Sequence, residues 1–401
     1  MRDQFNREIN YLRISLTELC NLRCVYCMPE CGVVKKSHAE MMSFEEIVAA
    51  ARAAARLGVS KIRLTGGEPL VKKDVVKLVG KIAQIEGINK VCVTTNGVLL
   101  SKMAADLKAA GVEYLNISLD TLDEAKFRHI TRVGELKDVL RGVEAALGVG
   151  FKSVKINSVL IGGFNDDEVS RLAALTLRQP TDVRFIELMP MLGVFGKEAF
   201  VPYTLALQRL KEAVLRGEFG EELQNTLLCN LASFDPSQEI NLLPKETNIV
   251  PKTTNKTSQK LCNTEFKQFL DKTALTAKTP RQKSAFVAQI LEQMQGVLTP
   301  AQAAFGSTAR LVRLKNALAN IGLISPVSEH FCASCNRIRL TSDGKIKPCL
   351  HSSEEISLKG LSEEGMFEVL QRAIFSKPKE HDELGANKLS KAGRNMHQIG
   401  G

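Results

Sequence analysis

Six short runs rich in β-branched and apolar residues recur through the first half of the chain, at Tyr11–Leu16, Lys61–Leu64, Val91–Thr95, Tyr114–Leu119, Val154–Leu160 and Val183–Leu188. The stretches between them carry apolar residues at helical spacing. Ser43-Phe44-Glu45-Glu46 reads as a capping box whose helix is expected to stop at Gly58. Asp74 and Ser101 read as further N-caps, with Gly87 and Gly111 as the matching stops. Strand–helix alternation predicts a parallel sheet with right-handed crossovers. Six units are too few for a closed eight-stranded barrel, so the expected fold is α/β, a partial (β/α)6 barrel. Ligands bind such sheets at the carboxyl ends of the strands. There the chain places Cys20, Thr65-Gly66-Gly67-Glu68-Pro69, Thr94-Thr95-Asn96-Gly97, Ser118-Leu119-Asp120 and Glu187-Leu188-Met189-Pro190.

The strand–helix rhythm stops near Gly220, and ordered patterns resume after Gly306. The expected division is a barrel over 1–219, an atypical and partly flexible insertion over 220–298, and a C-terminal region over 299–401. Within the insertion, Pro251–Lys260 is polar and reads as flexible, and Gln282–Gln295 reads as an amphipathic helix. The net charge of +10 lies almost wholly outside the middle stretch, because Glu221–Gly306 holds nine basic and eight acidic residues. A basic balance suits nucleic acid, an anionic membrane or a phosphorylated substrate. The absence of Lys/Arg blocks and the low aromatic content weigh against nucleic acid. No apolar run is long enough to span a membrane, and the polar N-terminus lacks a signal-peptide core, so a cytoplasmic protein is expected. Ten cysteines then read as metal ligands or reactive thiols rather than disulfides.

Cys20, Cys24 and Cys27 share one loop in the pattern C-x3-C-x2-C. Thiolates select zinc or iron–sulfur clusters. A structural zinc site wants four ligands, whereas three cysteines leave one iron of a four-iron cluster open to a small molecule. Cys31 could close such a site as a fourth ligand, or be a bystander. With Tyr26 between the cysteines, and Gly66-Gly67-Glu68-Pro69 one strand–helix unit later, the loop resembles the signature of the radical S-adenosylmethionine (SAM) superfamily.

Cys332, Cys335 and Cys349 form C-x2-C-x13-C. A second C-x2-C, as in a zinc ribbon, is missing, although His351 could complete a zinc site. The other reading is a second cluster with a vacant iron. Arg337 and Arg339 alternate on an expected strand and so point the same way. Guanidiniums bind phosphates in a bidentate manner, so the pair reads as an anion clamp, or as surface arginines on a hairpin.

YLRISLTELCNLRCVYCMPE, RLTGGEPL, TTNG, NISLD, RFIELMPM, ISPVSEHFCASCNRIRLTSDGKIKPCL and a terminal Gly-Gly occur in this order. Together they resemble the GTP 3′,8-cyclase family, which carries out the first step of molybdenum cofactor biosynthesis. The resemblance implies a radical SAM barrel with a C-terminal auxiliary-cluster domain and two [4Fe-4S] clusters, the first held by Cys20, Cys24 and Cys27, the second by Cys332, Cys335 and Cys349. It implies SAM beside Tyr26, Gly67, Ser118 and Met189. GTP would be held by Arg13, Arg63, Thr94, Lys155, Arg337 and Arg339, with Lys61 as a weaker member. Judged alone, Lys155 reads as a snorkelling lysine. Gly400 and Gly401 resemble the family tail that reaches into the active site. In the family, a 5′-deoxyadenosyl radical takes hydrogen from C3′ of GTP and the ribose radical closes on C8 of guanine. The resemblance also implies an electron donor, a downstream cyclic pyranopterin monophosphate synthase, and room for a homodimer.

The insertion and Leu314–Ile321 depart from the family pattern, and Cys31, Cys92, Cys229 and Cys262 have no assigned role. The insertion could be functional, disordered, or an obstruction of the cavity. Two rivals stay open. One is a peptide-modifying radical SAM maturase; the other is a zinc-stabilised RNA-binding module.

Overall fold

The computed structural model describes residues 1–191, 195–232, 288, 290–303, 307–384 and 389–400, the side chains of 228–232 excepted. The run 251–260, Cys262, Gly401 and the side chain of Cys229 lie outside the described residues, as does half of the helix expected over 282–295.

Six parallel strands form the centre: β1 (Tyr11–Ser15), β2 (Lys61–Thr65), β3 (Lys90–Thr95), β4 (Val112–Ser118), β5 (Ser153–Leu160) and β6 (Thr181–Glu187). Each matches one expected strand to within two residues. Parallel strands buried on both faces usually read as continuous apolar runs. Here β5 and β6 alternate instead: Val154, Ile156 and Leu160 are buried, while Lys155 and Asn157 point the other way. One face of the sheet therefore packs against helices, and the other is a polar interior.

The first helix, Phe44–Arg56, begins at Ser43 with both capping-box hydrogen bonds, and the chain turns at Gly58. Two expected caps differ. Asp74 occupies an N-cap position but makes no side-chain cap bond. It sits in the left-handed region, with Lys77 2.9 Å from its carboxylate. Ser101 lies inside helix Leu100–Ala109, because the Asn96 side chain has already accepted a hydrogen bond from the Val98 amide and turned the chain.

The C-terminal region extends this same sheet at both edges. Among the described residues the sheet has twelve strands. On one side β10 (Arg337–Leu340) pairs parallel with β1, followed by β11 (Lys345–Lys347) and β12 (Ile356–Ser357). On the other, β9 (Ile321–Ile324) pairs parallel with β6, followed by β8 (Ala309–Leu314) and β7 (Leu298–Ala301). Within 220–298, Leu223, Leu227, Ile290, Met294 and Val297 are buried in the main core, so both described ends of that stretch belong to it. Leu223 and Leu227, and Ile290 and Met294, are each four apart, which puts each pair on one helical face.

Candidate active site

Strand register aligns the interior. Arg339 of β10, Arg13 of β1 and Arg63 of β2 are direct partners across three neighbouring strands, as are Arg337, Tyr11 and Lys61 one pleat away. Adjacent strands lie about 4.8 Å apart, so the three arginines form a ladder of neighbouring positions across the sheet. Lys155 of β5 and Arg184 of β6 join the same electrostatic cluster. Lys155 is ion-paired with Asp182. Burial, then the neighbouring charges, push Arg339 down to about 9. Burial, helped by Arg63 and Arg337 and opposed by Tyr11, brings Arg13 and Arg184 to about 10. Lys61 and Lys155 are lowered too, chiefly by burial. Arg63 is instead raised, because Tyr11 and Cys92 outweigh its burial. Its Nε donates to Tyr11 Oη at 2.6 Å and its Nη1 to Thr94 Oγ1 at 3.2 Å. Such an array of buried cations is repulsive by itself, and a polyanion would offset that repulsion.

Arg184 was not singled out in the sequence. Its Nε is buried without a hydrogen-bond partner. The alternation Thr181-Asp182-Val183-Arg184-Phe185 carries the signal, since it sets Asp182 and Arg184 on the face opposite Val183 and Phe185.

At the carboxyl ends of the strands, Cys20, Cys24 and Cys27 sit close enough to perturb one another. Burial, then the adjacent Cys20, pushes Cys27 up to about 12, and Cys24 and Cys20 are raised as well. Three crowded thiols become thiolates when a multivalent cation takes their charge, which fits an iron–sulfur cluster. Cys31 is exposed, whereas Cys20, Cys24 and Cys27 are partly buried. Cys20 Sγ accepts from the Leu22 amide at 3.3 Å and from Asn96 Nδ2 at 3.6 Å, hydrogen bonds of the kind that tune a cluster.

Gly67 lets its loop close on this one. A Cβ there would stand 2.4 Å from the Leu19 carbonyl oxygen and 2.6 Å from that of Glu18. Glu68 ties the next loop in, accepting from the amides of Asn96 (2.6 Å) and Leu70 (3.0 Å) and from Thr95 Oγ1 (2.8 Å). Burial outweighs these bonds and raises Glu68 to about 7. Tyr26 donates to Asp120 at 2.6 Å, and burial lifts that carboxyl to about 6. Asp120 also accepts from the Val159 amide, so it joins β4, β5 and the cysteine loop. Ser118 ends β4 opposite Asn157, and Met189 follows β6.

The second cysteine group borders the arginine ladder. Cys332 opens a 3-10 turn over Cys332–Ser334. Burial raises Cys332, whereas at Cys335 the charges of Lys377, Arg337 and Arg7 outweigh burial and lower it. Cys349 lies beside Arg339. Sulfur donors among cations suit an anionic cluster. Glu187 braces the approach to this group, accepting from the amides of Val327 (3.0 Å) and Ser328 (2.8 Å).

The C-terminal helix Met396–Ile399 lies between the first cysteine loop and the arginine ladder. His397 Nδ1 lies 2.8 Å from the carbonyl oxygen of Cys27. The Gly400 carbonyl accepts from Arg339 at 2.5 Å and from Arg13 at 3.1 Å. Gly400 is in the left-handed region, and a Cβ would lie 2.4 Å from Thr65 Oγ1. An ion network that sequence reading missed anchors the segment. Arg394 reaches Glu355 at 2.6 Å and Asp343 at 3.0 Å, and buried Lys347 donates to the Ala392 carbonyl at 3.0 Å.

A parallel partial barrel with three thiols at its strand ends and a glycine loop closed against them defines a radical SAM protein. Residues 14–176 match the model of the Radical SAM superfamily, and residues 264–383 match the model described as Molybdenum Cofactor Synthesis C, which begins within the 220–298 stretch. The chain is 38% identical over 406 residues to a GTP 3′,8-cyclase of Alkaliphilus oremlandii, covering 100% of both chains. It is 39% identical to that of Alkaliphilus metalliredigens and 37% to that of Heliobacterium modesticaldum, again over the whole of both. The chain belongs to the GTP 3′,8-cyclase family. Among solved structures, Streptococcus suis SuiB bound to its precursor peptide SuiA overlaps 54% of this chain and 48% of its own, at 20% identity and a TM-score of 0.43. No helix among the described residues is long and apolar enough to cross a membrane.

Proposed function

We propose that this chain converts GTP to 3′,8-cyclo-7,8-dihydroguanosine 5′-triphosphate, the first step of molybdenum cofactor biosynthesis. The observation that carries the reading is the in-register ladder Arg339–Arg13–Arg63, set between two three-cysteine groups. Cys20, Cys24 and Cys27 hold the first [4Fe-4S] cluster, with SAM beside Tyr26, Gly67, Ser118 and Met189. Cys332, Cys335 and Cys349 hold a second. When bound, the first cluster and SAM would supply the radical chemistry by which hydrogen is lost from C3′ of GTP.

The protein's part is to bind, orient and exclude water. Lys61, Arg63, Lys155, Arg184, Arg337 and Arg339 take the triphosphate, whose charge removes their mutual repulsion. Thr94, hydrogen-bonded to Arg63, sets that guanidinium's direction. Arg13 and Arg339 also grip the Gly400 carbonyl, so the tail closes over the chamber while sharing the cations that face the nucleotide. The electron donor, a downstream cyclic pyranopterin monophosphate synthase, a cytoplasmic setting and a homodimer complete the reading.

The test is anaerobic reconstitution followed by incubation with GTP, SAM and reductant. Cyclised nucleotide and 5′-deoxyadenosine in step are expected. Formation of 5′-deoxyadenosine without cyclised nucleotide would overturn the substrate assignment. Arg337→Ala is expected to weaken GTP binding about tenfold to a hundredfold, the loss of one charge-assisted contact of 1.5–3 kcal/mol, with iron content unchanged.

A further inference from the structure

Overlapping the second cysteine group lies a metal-ligand set that shares one cysteine with it and adds two histidines. His330, Cys332 and His381 offer three ligand atoms that all lie within 4.8 Å of one another. The sequence pointed to His351 as the histidine that would complete a zinc site, but its Nδ1 is 2.9 Å from Ser390 Oγ and it meets His381 edge-on. His330 and His381 stack at 4.5 Å, 22° from parallel.

Two features hold this set in place. His381 Nδ1 is 2.7 Å from the carbonyl oxygen of Asp382. A carbonyl only accepts, so Nδ1 carries the proton and the lone pair is on Nε2. This is the outer-shell arrangement of a ligating histidine. The His381 amide also donates to Cys332 Sγ. Buried Arg7 then ties the two chain segments together, donating from one nitrogen to the carbonyls of Cys332 (2.9 Å) and Lys379 (2.8 Å). Position 381 follows helix Glu363–Phe375, far along the chain from Cys332, so its arrival depends on this packing.

We propose that His330, Cys332 and His381 form a mononuclear site for a divalent transition-metal ion of the zinc class, exclusive of the auxiliary cluster because both need Cys332. One thiolate and two imidazoles suit such an ion, with water as the fourth ligand. The exclusion rests on the cluster assignment proposed above; the metal site does not. Zinc held here withdraws Cys332 from cluster assembly, so the site acts on the unloaded chain and is silent once the cluster is in place.

The test uses the full-length chain carrying Cys20→Ser, Cys24→Ser and Cys27→Ser, so that the first group binds no probe. Titration of the apoprotein with Co(II) should give one equivalent, with tetrahedral ligand-field bands and one thiolate charge-transfer band. Adding His330→Ala and His381→Ala should weaken binding about 100-fold or more, beyond the loss seen when only outer-shell support is removed, with the circular dichroism spectrum unchanged. In an otherwise wild-type chain, Zn(II) present during reconstitution should prevent the second cluster, and the two histidine substitutions should protect it. A Co(II) spectrum indifferent to both histidines would overturn the site. Equal zinc inhibition with and without the histidines would overturn the exclusion. If no second cluster forms in wild type while the histidine-dependent Co(II) spectrum persists, the cluster assignment fails and the metal site stands.

Discussion

Tyr11 lies at the centre of the cation array, its hydroxyl receiving the Arg63 Nε and its ring 4.3 Å from the Lys61 ammonium. Burial opposes its ionisation, but Arg63, Arg13 and Lys61 outweigh burial and bring it from 10.0 down to about 7. The phenolate is therefore the form the fold favours. Its contribution to stability is fully present above pH 10 and is lost as pH falls from 10 towards 7. The chain has four tyrosines and no tryptophan, and Tyr26 and Tyr203 are both shifted upward, so a tyrosinate absorbance step near pH 7 is assignable. Tyr11→Phe should remove that step, and inorganic triphosphate should move it to higher pH by adding negative charge. A titration curve identical in the variant would rule out this placement of the proton. Gly67 gives a sharper steric case. Gly67→Ala drives a methyl into two carbonyl oxygens of the chain leading into Cys20, and backbone cannot yield as a flexible side-chain end would. Iron bound after reconstitution should fall towards half as the second group keeps its metal, and several-fold when the same substitution is made in a Cys332→Ser background, read by iron analysis. The sequence marked Gly67 through its motif. That its close approach is to the protein's own cysteine loop emerged only when Leu19 and Glu18 were in place.

The helix Met396–Ile399 makes one short turn and cannot hold its position by its own hydrogen bonds. Its placement comes from Arg394 against Asp343 and Glu355, with His397 on the Cys27 carbonyl at the far end. Burial would raise Asp343, yet Thr341 and Arg394 overcome it and lower the carboxyl to about 2. This anchoring is complete above the ordinary value of 3.8 and is lost as pH falls towards 2, so the tail should stay docked throughout the neutral range. Arg394→Ala is expected to loosen docking by about 1–3 kcal/mol, between the values of exposed and buried pairs. Turnover should fall towards that of a chain lacking Gly400 and Gly401, with iron content retained. Unchanged turnover in Arg394→Ala would show that the ion network is not what seats the tail. The six central strands could be read from the sequence because each is a contiguous β-rich run. The anchor could not, because Asp343, Glu355 and Arg394 are ordinary surface residue types until β11, β12 and the tail converge.

At the scale of the whole molecule, one sheet carries both cysteine groups because the C-terminal region supplies the strands at its two edges. Arg337 and Arg339 were legible as a pair pointing one way, but their alignment with Tyr11 and Arg13 depends on β10 joining β1, a pairing no local pattern encodes. The consequence is a chamber in which function and stability oppose each other. Arg184 illustrates this, since its Nε is buried without a hydrogen-bond partner, and burial with Arg63 and Arg337 outweighs the pull of Asp182 and Tyr11 on its charge. On the proposed function, its cost falls on the ligand-free chain and would be recovered when a polyanion enters. Arg184→Met keeps much of the volume and removes the charge. The variant should therefore melt at a higher temperature than wild type without ligand. A ligand at one hundred times its dissociation constant stabilises by about 2.7 kcal/mol. Inorganic triphosphate at that level for the wild-type chain should raise its melting temperature by a few degrees, and that of Arg184→Met by clearly less. The two curves should approach or cross as triphosphate is added. A variant that melts lower than wild type without ligand, yet gains the full triphosphate shift, would mean that Arg184 is a structural residue and the chamber's polyanion site lies elsewhere.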